Sequence, residues 1–138
     1  MPKRYFTVWE ANALIPQLEV MLYKLQDMKR DVHAKYTRLE ATKSALPSNI
    51  TPDFFFQEEA ELEFAVFSAN AMLRQILDIG VEVKDIDTGL CDFYALLNGS
   101  EVFLCWRLGE SEITHWHGIY EGYLGRKPII DEVDFDLD

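Results

Sequence analysis

The chain has only two cysteines, Cys91 and Cys105, too few for a disulfide-stapled secreted scaffold; in a reducing compartment they read as free thiols. No apolar run approaches the roughly 18 residues needed to cross a bilayer, which argues against a membrane span. No apolar signal-peptide core follows Met1-Pro2-Lys3-Arg4, so the expected location is cytoplasmic. Without secretion the sequon Asn49-Ile50-Thr51 carries no meaning. Basic residues are also scarce. Thirteen Lys and Arg against 24 Asp and Glu leave a net charge of -11, with no surplus to displace counterions from phosphates. That argues against nucleic acid as a partner.

What is present is apolar and aromatic. At 138 residues, with 49% hydrophobic and 13% aromatic side chains, the chain can bury the core of one domain, or of a helical extension joined to one small domain. Charge is unevenly placed. Residues 1–44 hold eight Lys and Arg against five Asp and Glu, and the remainder holds five against nineteen. A basic segment followed by an acidic one suggests that the two pack together, or that the first offers a basic face to a partner.

Thr7-Val8-Trp9-Glu10 has the form of a capping box, with Phe6 placed to staple the start of a helix. Apolar residues then fall at Leu14, Leu18, Met21, Leu25, Met28, Val32, Tyr36 and Leu39, the steps of three and four of a long amphipathic helix with coiled-coil character. Pro16 can kink it or merely adjust its first turns. Helical over 8–44, the segment would span roughly 54 Å and would need a partner to be stable. After a turn at Leu46–Ile50, Thr51-Pro52 supplies a cap and a first-turn proline. Phe55, Leu62, Val66, Ala69, Leu73 and Ile76 then carry a second helix to Gly80. Its early Glu58, Glu59, Glu61 and Glu63 would face the basic late part of the first helix in an antiparallel hairpin. The Phe54-Phe55-Phe56 run is expected to seal that hairpin.

Beyond Gly80 the apolar period changes to two. Val81–Ile86, Cys91–Leu96 and Glu101–Arg107 read as strands, and Asn98-Gly99 reads as a tight hairpin turn. That turn puts Ala95 opposite Val102, Phe93 opposite Leu104 and Asp92 opposite Cys105. The two cysteines then point to opposite faces, which disfavours a disulfide between them. A return strand runs from Glu112 to His117. The expected fold is α+β, with a long antiparallel two-helix coiled-coil hairpin (1–80) followed by a small antiparallel sheet of three to four strands packed on it (81–130). The acidic end, 131–138, is expected as a solvated tail in preference to an edge strand.

Candidate chemistry gathers between Gly89 and Arg126, which holds both cysteines, two of the three histidines, two of the three tryptophans and six of the seven glycines. His115-Trp116-His117 on a strand places two imidazoles on one face, with Glu121 and Glu110 near in sequence. That donor set suits zinc, iron or manganese. The spacing from Gly109 through Glu121 follows most of a cupin motif, but Pro128 stands where that motif has glycine, no later histidine exists, and so helical a chain cannot build a cupin barrel. Arg126, in Gly122-Tyr123-Leu124-Gly125-Arg126-Lys127-Pro128, is a candidate anion ligand together with Asp92, or else pairs internally with Asp92 or Glu121. Cys105 beside a histidine could be a nucleophile, although its strand neighbours Phe103, Leu104 and Trp106 suit an inert core thiol better. His33 reads as a solvated surface residue.

The order of these pieces resembles a bacterial and archaeal family known as domain of unknown function 2203. The resemblance rests on Phe6-Thr7-Val8-Trp9-Glu10-Ala11-Asn12-Ala13-Leu14-Ile15-Pro16 at the start. It continues through Val83-Lys84-Asp85, Gly89-Leu90-Cys91-Asp92-Phe93 and Glu101–Glu110, then Trp116-His117 and Gly122–Pro128. It implies the hairpin-and-sheet layout and supplies no activity. In that pattern Trp116-His117 is typical and His115 is not, so His117 with Glu110 and Glu121 forms the shared core of a site. Two functions stand open. One is an interaction or scaffold module, a homo-oligomer or a protein's partner through the hairpin. The other is a divalent-metal protein or small-molecule enzyme built on His117, Glu121 and Glu110.

Overall fold

The computed structural model describes residues 3–136. Two long helices, α1 (Val8–Ala45) and α2 (Phe56–Ile79), precede five strands: β1 (Val81–Asp85), β2 (Leu90–Leu97), β3 (Ser100–Arg107), β4 (His115–Gly118) and β5 (Lys127–Pro128). The strands form one antiparallel sheet in the order β1-β2-β3-β4-β5. The fold is α+β, and the strand count is five rather than three to four. The additional strand is a two-residue pairing of Trp116 and His115 with Lys127 and Pro128, too short to leave an alternating pattern in the sequence. No helix is long and apolar enough to cross a membrane, among the described residues.

The chain divides into two compact units, Met1–Leu22 with Gln75–Asp138, and Tyr23–Arg74. In the first, the capping box forms in both directions. The Glu10 N–H donates to Thr7 Oγ1 at 3.1 Å, and the Thr7 N–H donates to Glu10 Oε1 at 2.9 Å. Phe6 is buried and meets Phe93 edge-on, and its N–H extends the pairing of β2 by donating to the Tyr94 carbonyl. The buried line of α1 runs through Ala11, Ile15, Leu18 and Leu22, stepping four, three and four. It shares Leu18 with the expected stripe but lies one residue off it at Leu14 and Met21. The helix continues through Pro16.

The register of β2 against β3 is the expected one, with Ala95 opposite Val102, Phe93 opposite Leu104 and Asp92 opposite Cys105. Asn98 and Gly99 both have positive φ, 50° and 87°, so the chain reverses in two residues and fixes that register. One face of the sheet carries Phe93, Leu104 and Trp106 into the core. The acidic end is not a solvated tail over its described part. A 3-10 helix (Glu132–Phe135) buries Phe135 near the Trp116 ring, and the Asn98 N–H donates to the Asp134 carbonyl. Phe135 accounts for the docking, because a large ring repays burial even among carboxylates.

In the second unit, Lys43 near the end of α1 pairs with Glu59 near the start of α2 at 3.0 Å and lies over the Phe55 ring, closing a helical hairpin. Leu25, Leu39, Phe55 and Ala65 are its buried apolar residues. Thr51 makes no side-chain cap. A short 3-10 helix (Pro52–Phe55) precedes α2, which starts at Phe56. Of the three successive phenylalanines only Phe55 is buried, because neighbouring residues on one turn cannot share a face.

Candidate functional site

The polar face of the sheet is built by strand alternation. Asp92 and Cys105 stand opposite one another, and His117 lies diagonal to Cys105 on β4, so the three side chains project to the same side. Asp92 and His117 are each 2% exposed and Cys105 is fully buried. Their ligand atoms all lie within 4.8 Å of one another.

His117 is held at both ring nitrogens. Nδ1 lies 2.8 Å from the Gly118 carbonyl oxygen and Nε2 lies 2.9 Å from Asp92 Oδ1. A carbonyl can only accept, so Nδ1 carries a proton. The contact at Nε2 then requires one further proton, on the imidazole or on the carboxyl. Either way the pair is neutral overall and shares a single proton, which suits its burial. Burial holds the Asp92 carboxyl above its ordinary range, while the hydrogen bond from His117 works in the opposite direction. The Cys105 thiol is pushed up to about 12 by burial and by the adjacent Asp92. Cys91, on the opposite face, is pushed up to about 12 chiefly by burial. Both cysteines are free. Cys105 beside His117 is therefore an inert thiol in this arrangement, not an activated nucleophile.

The four residues first suggested as metal donors do not assemble. Glu121 accepts from the Gly118 N–H at 2.8 Å and from Lys127 Nζ at 2.8 and 3.0 Å, and the lysine bond leads in lowering its pKa. A Cβ on Gly118 or Gly125 would stand 2.9 or 3.0 Å from its carboxylate oxygens, so the two glycines make room for this acid. Glu110 accepts from the Arg107 N–H at 2.7 Å and from Arg126 at 3.1 Å. His115 shares the face with His117, but its Nδ1 bonds the Thr114 hydroxyl at 2.8 Å. Among the described residues, Asp92, Cys105 and His117 form the one group of three or more placed to share an ion.

Arg126 pairs with Glu110, not with Asp92 or Glu121. It also donates to the Cys105 carbonyl at 3.3 Å and lies over the Tyr123 ring. The expected pairing of Arg126 with Asp92 as anion ligands gives way to two separate internal pairs. Sequence reasoning missed Asp92 and Cys105 as companions of His117. Their opposition across the hairpin was legible, but the diagonal reach from β3 to β4 depended on a register that the turn near Gly109-Glu110 did not set, the strand beginning only at His115.

The fold and site define an α+β protein in which a helical hairpin accompanies a five-stranded antiparallel sheet with a buried Asp–His–Cys cluster. The family model described as "Uncharacterized conserved protein (DUF2203)" matches residues 4–129, and the chain belongs to that family. Neither a curated protein nor a solved structure matches the chain.

Proposed function

We propose that this protein is an interaction module that pairs with a second copy of itself through α2. The observation that carries this reading is an unpartnered aromatic stripe. Phe56, Phe64 and Phe67 are 73%, 69% and 69% exposed. With Ala60 and Ala71, also exposed, they step four, four, three and four along the helix. At 100° per residue these positions share one face, roughly opposite the line of Leu62, Ala65, Ala69 and Leu73. The helix therefore has two apolar sides, and only one is turned inward.

Three rings at this exposure present about 400 Å² per copy, the size of the largest apolar patch on a typical monomer, which is often functional. Two copies would remove about 800 Å² from water through the rings alone, half or more of a standard interface. Charge favours an antiparallel two-fold arrangement. Glu61 and Glu63 flank the stripe in the first half of α2, whereas Ser68–Arg74 holds no acid. A parallel pairing would set carboxylates against carboxylates, and an antiparallel one sets them against the neutral half that ends in Arg74. Self-contact along this stripe makes the hairpin an assembly element. Sedimentation of the wild type beside a Phe64→Glu/Phe67→Glu variant tests it.

A further inference from the structure

We infer that Asp92, Cys105 and His117 form a binding site for a thiophilic divalent cation of the zinc class. The site is independent of self-association and uses a donor set different from the one the sequence first suggested. One carboxylate oxygen, one thiol sulfur and one imidazole nitrogen already lie within 4.8 Å of one another. Tetrahedral zinc at bonds of about 2.0–2.3 Å holds its ligand atoms roughly 3.3–3.8 Å apart, so side-chain shifts of about an ångström complete the set. A thiolate donor selects zinc over magnesium, calcium or manganese.

The surroundings fit the ion. Nδ1–H of His117 donates to the Gly118 carbonyl at 2.8 Å, which directs Nε2 to the interior. A ligating histidine is ordinarily oriented in this way by its other nitrogen. Charge also balances. In the metal-free state the thiol is neutral and the Asp92–His117 pair shares one proton. One dication replaces that proton and the thiol proton, leaving a carboxylate, a thiolate and a neutral imidazole around it. The buried cluster is neutral before and after, so loading it adds no net charge to the interior. Three protein donors leave one position to water or a small anion, which makes this an open site rather than a closed four-ligand one.

The test uses the full-length protein, stripped with a chelator and titrated with cobalt(II) and then zinc(II). The expected result is one equivalent of cobalt, a near-ultraviolet sulfur-to-cobalt charge-transfer band that zinc abolishes, and a higher melting temperature with either ion. Cys105→Ala, which keeps a small apolar group on the strand, removes the band and weakens binding at least a hundredfold. Cys91→Ala and Glu121→Gln retain both. If Cys105→Ala does not fold, the Cys91→Ala protein still decides, because its band can come only from Cys105. Absence of the band in wild-type protein, its loss in Cys91→Ala, or its persistence in Cys105→Ala would overturn the assignment.

Discussion

His117 Nε2 sits 2.9 Å from Asp92 Oδ1 across two strands, and both side chains are 2% exposed. The second nitrogen of the ring is committed to the Gly118 carbonyl, so the imidazole depends on Asp92 for its remaining hydrogen bond. His117→Ala opens a cavity and leaves the Asp92 carboxyl buried without its imidazole partner. A loss of about 3 kcal/mol is expected from breaking such a pair. Urea unfolding of metal-free protein measures it, and a change below about 1 kcal/mol would show the pair to be incidental.

Asp92→Asn separates the charge from the shape. The amide N–H can donate to Nε2 of a neutral His117 while Nδ1–H keeps its bond to Gly118, so every partner is satisfied. In the wild type, burial raises the folded Asp92 pKa above its ordinary 3.8. A raised folded value means that its ionisation costs the folded state more than the unfolded one. The cost is absent below the ordinary carboxyl pKa and grows as pH rises through the folded value. With chelator present, raising the pH from about 4, the ordinary carboxyl value, should lower the melting temperature of the wild type more than that of the variant. Parallel profiles in scanning calorimetry would contradict this.

The thiols offer a third reading of the same interior. With both pushed up to about 12, roughly one Cys105 or Cys91 in ten thousand is a thiolate at about pH 8, against about a quarter for an ordinary cysteine. Native metal-free protein should react with a disulfide reagent roughly a thousandfold more slowly than urea-unfolded protein. Rapid labelling of one thiol in the native state would mean that its side of the sheet opens.

Much of the fold was legible because local chemistry fixed it. The capping box set the start of α1, Asn98-Gly99 set the register of β2 on β3, and the change of period at Gly80 separated helices from strands. The misses occur where distant partners decide. α1 buries Ile15 and Leu22 rather than Leu14 and Met21, since several apolar residues compete for one face and only the packed partner selects among them. β5 is held by pairing to β4 and left no periodicity of its own. For the site, His117 was legible as a chemistry-bearing residue, but its companions were sought among neighbours in sequence. Glu110 and Glu121 serve the local loop instead, whereas Asp92 lies twenty-five positions away on another strand. Phe64 and Phe67 were hidden for a related reason. In an apolar helix, a second stripe is told from the first only when one side is seen to be covered.

The central proposal, that α2 pairs with a second copy through Phe56, Phe64 and Phe67, is tested most directly by sedimentation equilibrium across micromolar concentrations. The wild type should behave as a dimer. The Phe64→Glu/Phe67→Glu variant should be a monomer with unchanged helical content, because both side chains are exposed within the chain. A wild type that stays strictly monomeric at the highest concentration, or a variant that dimerises equally well, would contradict it.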